Sequence, residues 1–384
     1  MLPAHLRALG EETVFARLSA LAAATGAVNL GQGFPDTDGP AALAQAAAAA
    51  VLSGAGNQYP PGPGVPALRQ AVADHQARCY GLDLDPDTEV LITVGATEAV
   101  AAAVLGLVDA GEEVIALEPT YDSYPAAVAF AGARLVRVAL QAPGFTLDPD
   151  ALAAAVTPAT RLLLINSPHN PTGAMLDGAA AAALAKVAVD HDLVVVTDEV
   201  YEHLVYDGRR HVPLATLPGM AARTLTVSSA GKTFGYTGWK VGWVSGPAEL
   251  VAAVRAVKQY LTYVASGPFQ HAVATGLAGP GACYHALAPT LQDRRDQLAA
   301  GLGALGLDVL PCAATYFLLT DVTGLGYTSG AQFCDAALAA GVVAIPASVF
   351  YADPAGGRSL VRWAFCKQPD VLDEALHRLQ ALPR

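Results

Sequence analysis

One pattern recurs seven times between Glu89 and Ser245: a short, almost wholly apolar run, in most cases followed by a segment of helix length. The runs are VLITV (90–94), EVIAL (113–117), RLVRV (134–138), RLLLI (161–165), LVVVT (193–197), TLTVS (224–228) and VGWVS (241–245). Runs that are apolar throughout suit strands buried on both faces, and strands joined by helices lie parallel. The expected body is therefore an α/β domain whose seven-stranded, mostly parallel sheet is flanked by helices. The alanine tracts AALAQAAAAAVL and GAAAAALAKVAV read as those helices, because alanine is the best helix former. After Arg294 the text changes to a helix, a strand-like TYFLLTDV, a second helix, and a terminal VRWAFC strand followed by a helix. This reads as a smaller α+β domain. With 384 residues the chain is long enough for both. The expected division is 41–290 for the large domain, with 1–40 and 291–384 forming the small one.

The polar residues fall where such a sheet would place a ligand. Gly95-Ala96-Thr97, Glu118-Pro119-Thr120-Tyr121, Asn166 to Pro171, Asp198 to Tyr201, and SSAGKTFGYTGWK (228–240) each follow an apolar run. Ligands of open α/β sheets bind outside the carboxyl ends of the strands, so these separated segments should converge. The net charge of −12, with 15% charged residues, offers no basic surface for nucleic acid or an anionic membrane. A small molecule is the expected partner. Five scattered cysteines without Cys-x-x-Cys spacing suggest neither a zinc site nor a disulfide framework, and no metal is expected. MLPAHLRALGEE is not a signal sequence and no apolar run is long enough to span a bilayer, so a cytoplasmic protein is expected.

AGKT, inside the last of these segments, could end a phosphate-binding P-loop. That motif needs glycine five positions before Gly231, where this chain has Thr226, and a helix starting at the lysine, which Gly235 and Gly238 interrupt. The alternative is a Schiff-base lysine, Lys232, carrying the aldehyde cofactor pyridoxal phosphate. Each demand of that cofactor has a candidate. Asp198 would keep the pyridine nitrogen protonated, Tyr201 and Asn170 would donate to the phenolic oxygen, and Tyr121 would stack on the ring. Gly95, Ala96 and Thr97 at a helix start, with Ser229 and Lys240, would hold the phosphate. Arg362 would grip a substrate carboxylate in two-pronged fashion. Alone, each residue has a plainer role: helix cap for Asp198, core aromatic for the tyrosines, turn for Asn170-Pro171, surface ion pair for Arg362. Their conjunction at strand ends is what points to one site.

NSPHNPTG, TDEVY and SSAGKTFGYTGWK together resemble the class I, fold-type I pyridoxal-phosphate aminotransferases over essentially the whole chain. GQGFPDTDGP, NQYPPGPG, VGATEA, TYFLL and VRWAFCK resemble the branch holding kynurenine, glutamine and methionine aminotransferases and, most of all, the actinobacterial N-succinyldiaminopimelate aminotransferases. The resemblance implies transfer of an amino group from an L-amino acid to a 2-oxo acid in ping-pong order, with the roles above for Lys232, Asp198, Tyr201, Asn170, Tyr121, Ser229, Lys240, Ala96, Thr97 and Arg362. It adds the Gly33 backbone and Asn166 at the substrate carboxylate. It also implies a homodimer in which Tyr59 reaches the neighbouring subunit's cofactor. A cysteine-conjugate lyase would use the same residues, and a non-catalytic regulator would retain the fold without needing Lys232. Arg209 and Arg210 could face an acidic substrate tail. Gly235-Tyr236 departs from the family's bulkier or more polar pair.

Overall fold

The computed structural model describes residues 14–279 and 282–382. The amino-terminal stretch MLPAHLRALGEE lies outside the described residues, as does the side chain of Cys283. In chain order the strands are β1 (Val28–Asn29), β2 (Val90–Thr93), β3 (Glu113–Glu118), β4 (Arg134–Ala139), β5 (Thr160–Asn166), β6 (Val194–Asp198), β7 (Thr224–Ser229), β8 (Gly242–Ser245), β9 (Asp308–Val309), β10 (Phe317–Asp321), β11 (Val342–Val343), β12 (Ile345–Pro346) and β13 (Leu360–Ala364). All seven expected runs are strands of one sheet, in the order β2-β8-β7-β6-β5-β3-β4. Its pairs are parallel except those of β8, which is antiparallel to both β2 and β7.

That one reversal serves the site. Because β8 runs backwards, its start meets the carboxyl ends of the other strands: Gly242 stands opposite both Ser229 and Thr93. The residues just before β8, Lys240 among them, thus arrive at the same edge as those that follow β2 and β7. Two glycines make the junction possible. Gly95 has a φ of +72°, and a Cβ on Gly242 would come within 2.5 Å of the Gly95 carbonyl carbon.

Leu162, Leu164, Val196, Leu225, Val227 and Val244 pack one face of the sheet against helices Gly95–Leu107 and Ala248–Leu261. Ile115, Leu163, Ile165 and Val195 pack the other against helix Gly178–Asp190, whose first turn is capped by Asp177 accepting from the Ala180 amide at 2.8 Å. Both alanine tracts are helical, over 41–53 and 178–190. One strand departs from expectation. β4 is an edge strand, and Arg134 and Arg137 keep it only partly buried despite its apolar text.

The smaller domain is built on an antiparallel sheet, β12-β13-β10-β9, with helices Leu287–Ala304, Gly330–Ala339 and Pro369–Leu379. TYFLLTDV and VRWAFC supply its central strands, β10 and β13. The segment before Pro40 runs to this domain: β1 pairs with β11, and the Ala364 amide donates to the Leu30 carbonyl at 2.6 Å.

Candidate active site

A cavity of about 310 Å³ opens along the strand ends. Gly33, Gly95, Ala96, Thr97, Tyr121, Asn166, Asn170, Asp198, Tyr201, Ser229, Lys232, Lys240 and Arg362 all line it, so the structure brings together every residue of the sequence-derived site except Tyr59. Tyr59 is 80% exposed, in edge contact with Tyr263 at 5.4 Å, and does not line this cavity. Arg209 and Arg210 are exposed and also lie outside it.

Lys232 sits in a helix of only four residues, Ala230–Thr233, ended by Phe234 and Gly235, so nothing here resembles the long helix of a P-loop. Its Nζ donates to the Tyr316 hydroxyl at 2.6 Å, which donates onward to the Gly33 carbonyl at 2.6 Å. Burial pushes the Lys232 pKa down to about 8, against the pull of Cys366 and Asp198 and with help from Lys240 and Arg362. An amine so placed can accept a proton near neutral pH.

Asp198 ends β6, directly opposite Asn166 in β5. Its Oδ2 accepts from the Tyr124 hydroxyl at 2.8 Å and its Oδ1 from the Val200 amide at 3.3 Å. Burial still raises its pKa to about 6, with both hydrogen bonds and Lys232 opposing the rise. A folded-state pKa above the usual 3.8 means that the folded chain holds the extra proton between about pH 4 and 6. Stability from this group is therefore present below pH 4 and lost as pH rises through 6. Cofactor-free Asp198→Asn is expected to be more stable than the parent at pH 7, by about 3 kcal/mol at two pKa units. The difference should vanish near pH 4, which thermal unfolding at the two pH values checks.

The Arg362 guanidinium, on β13 of the small domain, crosses to the large one. Nη1 donates to Asn170 Oδ1 and Nη2 to the Gly31 carbonyl, both at 2.9 Å, while Nε is buried with no partner. The Phe317 ring lies 3.9 Å beneath the guanidinium. Asn170 is held in turn by its amide, which donates to Asn166 Oδ1 at 2.8 Å, and Asn166 Nδ2 donates to the Asp198 carbonyl at 2.8 Å. Arg362, Asn170, Asn166 and Asp198 form one hydrogen-bonded chain.

At the opposite side the helix Gly95–Leu107 begins, leaving first-turn amides without partners inside the helix. Lys240, with φ at +52°, stands beside it, near enough that a Cβ on Gly95 would lie 3.1 Å from its Nζ. Among the described residues Lys240 has no carboxylate in salt-bridge reach. Lys240, the buried Ser229 and the helix start are the groups here that could hold an anion.

Sequence reasoning missed Tyr124, Tyr316 and Phe317. Tyr124 lies three residues after Tyr121, across the turn that enters helix Ser123–Phe130, and could have been found by its closeness to Tyr121 in the sequence. TYFLLTDV was read for its strand pattern, and TYFLL for its resemblance to the family branch, and neither reading gave Tyr316 or Phe317 a place at the site. Gly235-Tyr236 also gains an explanation. Tyr236 stacks on Trp239 at 3.9 Å, Trp239 stacks on Phe269 at 4.9 Å, and the Tyr236 hydroxyl donates to the Pro40 carbonyl at 3.0 Å. The stack fixes the loop between the two lysines and ties it to the strand of chain that enters the small domain. Tyr236→Ala should cost about 1–3 kcal/mol of stability. Tyr236→Phe, which keeps the stack, should cost less, as denaturant midpoints will report.

The family model for aminotransferase class I and II matches residues 25–379. A probable N-succinyldiaminopimelate aminotransferase of Mycobacterium tuberculosis (strain ATCC 25618 / H37Rv) is 57% identical over 383 residues, covering 96% of each chain. Methionine aminotransferase of Escherichia coli (strain K12) is 42% identical over 371 residues, again covering 96% of each. The solved structure of N-succinyldiaminopimelate aminotransferase from Mycobacterium tuberculosis superposes with a TM-score of 0.97 at 56% identity, covering all of both chains.

Proposed function

The chain belongs to the class I and II aminotransferases, and from that membership we propose that it binds pyridoxal phosphate in the cavity around Lys232 and transfers the amino group of N-succinyldiaminopimelate to 2-oxoglutarate. Members of the family are pyridoxal-phosphate enzymes. Three features of the cavity support a fit to that group. Lys240 is a cation without a carboxylate partner beside a helix start, suited to a phosphate. Asp198 is a buried carboxylate with the Lys232 amine among its charged neighbours. Lys232 is half-buried and opens onto the space between them.

In this reading Lys232 anchors the cofactor covalently, Asp198 pairs with the ring nitrogen, Tyr201 and Asn170 face the phenolic oxygen, and Tyr121 covers the ring. Gly95, Ala96, Thr97, Ser229 and Lys240 hold the phosphate, so that the cofactor stays when the lysine is released. Pyridoxal phosphate supplies an electron-withdrawing ring conjugated to the substrate nitrogen, which lowers the cost of removing the Cα proton. The chain does the rest. Arg362 fixes the α-carboxylate with the N–H groups left over from Asn170 and Gly31, helped by Asn166 and the Gly33 backbone. Lys232 Nζ, once released and depressed in pKa, would take the Cα proton and return it two atoms along, to the carbon on the far side of the substrate nitrogen. Tyr316 holds the amine in line between these two positions. Half-reactions with the amino acid and with the oxo acid then alternate.

The identity of 57% to the mycobacterial relative, against 42% to the methionine enzyme, carries the choice of donor. One observation favours an apolar donor such as methionine or kynurenine, the latter with cysteine-conjugate lyase activity on the side. Among the described residues lining the cavity the cations are Lys232, Lys240 and Arg362, all already engaged, while Phe15, Phe34 and Phe317 line the same space. A distal carboxylate would need a basic group from elsewhere. We propose that a second subunit completes the site, Tyr59 reaching its neighbour's phosphate in a cytoplasmic homodimer, and that 41–290 and 1–40 with 291–384 act as two bodies. Among the described residues no helix is long and apolar enough to cross a membrane.

The test is single-turnover conversion of cofactor-loaded protein by N-succinyldiaminopimelate, methionine, kynurenine, glutamine and glutamate. The N-succinyl substrate should react with the highest second-order rate constant. A higher constant for methionine or kynurenine would select the apolar reading.

A further inference from the structure

Behind the floor of the cavity lies a second cluster of titratable side chains for which the reaction has no use. His75, on helix Pro66–Tyr80, and Glu202 and His203, in the turn after β6, are buried, and their ligand atoms lie within 4.8 Å of one another. The two Nε2 atoms approach to 2.8 Å, and His203 Nε2 stands 4.0 Å from Glu202 Oε2. None of the three lines the cavity. We propose that His75 Nε2, His203 Nε2 and Glu202 Oε2 form a binding site for a zinc-like divalent transition-metal ion.

The donor set carries the choice of ion. Two imidazoles and one carboxylate suit zinc and its first-row neighbours, whereas magnesium and calcium take oxygen ligands. In a tetrahedral zinc site with bonds of about 2.0–2.1 Å the ligand atoms stand about 3.3 Å apart. The imidazole nitrogens must therefore open by about 0.5 Å and the carboxylate close by about 0.7 Å, movements that small side-chain rotations supply. Outer partners for the carboxylate are in place: the Ser228 hydroxyl donates to Oε1 at 2.5 Å and the Tyr80 hydroxyl to Oε2 at 2.6 Å. Protonation also matches. Burial lowers both histidines, His203 to about 4, leaving them neutral. Burial pushes Glu202 up, while the Ser228 and Tyr80 hydroxyls, both donating to its carboxylate, favour the ionised form that a metal takes.

A hydrogen-bonded histidine pair is the competing reading: one Nε2–H donates to the other Nε2 at 2.8 Å, and His75 Nδ1 is buried without a partner in either case. A bound ion differs from the pair in drawing the Glu202 carboxylate in as a third ligand. It would also tie helix Pro66–Tyr80 to the turn that follows Asp198 and carries Tyr201 and, through Ser228, to the end of β7. The site would thus brace the cofactor floor without taking part in the chemistry. No sequence spacing announces it, because His75 and His203 are 128 positions apart.

The experiment is calorimetric titration of zinc sulfate into cofactor-loaded protein that has been freed of metal by a chelator and desalted. One zinc per chain is expected, with a thermal midpoint that rises with zinc. Binding should be lost in His75→Asn and His203→Asn, weakened about 10-fold or more in Tyr80→Phe, and unchanged in the exposed-histidine control His191→Asn. Failure of the parent to bind zinc, or full binding by folded His75→Asn, would mean a hydrogen-bonded cluster only and overturn the proposal. Should the histidine variants not fold, anomalous diffraction at the zinc edge from zinc-soaked parent crystals decides. A peak among the three ligand atoms supports the site, and no peak there overturns it.

Discussion

Lys232→Ala is expected to lose transamination by a factor of at least about 10² to 10⁴, the usual contribution of a positioned proton-transfer group, while its fold and dimensions stay those of the parent. The loss follows from two duties on one atom. In the proposed mechanism Nζ is the covalent anchor, and after release it moves the proton while the Tyr316 hydroxyl, its hydrogen-bond partner in the structure, holds it in place. The same reading sets a pH dependence. The pKa of about 8 lies below the ordinary lysine value because burial disfavours the cation, so the basic form grows as pH rises through 8. In single-turnover assays the rate constant should climb to a plateau above about pH 8. A Lys232→Ala protein with parental kcat would remove the lysine from the mechanism.

Arg362→Lys is expected to raise the KM for the amino-acid substrate by at least about 10-fold. A hydrogen bond to a charged group contributes roughly 1.5–3 kcal/mol, which is about 10- to 150-fold in binding. Lysine keeps the charge but lacks the planar fork that can bind a carboxylate at two points while still holding Asn170 and the Gly31 carbonyl. Both partners are buried, so the substitution should also lower the melting temperature. Kinetics and unfolding measured side by side separate the two effects. An unchanged KM would place Arg362 outside the substrate site, whatever happened to stability.

The large sheet was legible because its strands are buried on both faces and announce themselves as apolar runs. β4 was the exception, since an edge strand with Arg134 and Arg137 has the same text with a different environment. The residues that line the cavity were legible as polar words at strand ends, where the fold gives them few other uses. Tyr316 and Phe317 were hidden because they stand in a core-like pattern where β10 begins, and only the folded chain, with β10 paired to β13, reveals them as neighbours of Lys232 and Arg362. The stack behind Gly235-Tyr236 was hidden for a similar reason, since Phe269 lies thirty residues further on. His75 and His203 share no local motif. Contacts between distant segments are set by tertiary packing, and no spacing rule reads them from the chain.

The central claim is that one particular amine, that of Lys232, carries the cofactor while Lys240, eight positions on, only holds its phosphate. Parent protein incubated with pyridoxal phosphate, reduced with borohydride and digested should yield one cofactor-labelled peptide, with the label on Lys232 by tandem mass spectrometry. A label on Lys240, or none, would contradict the account.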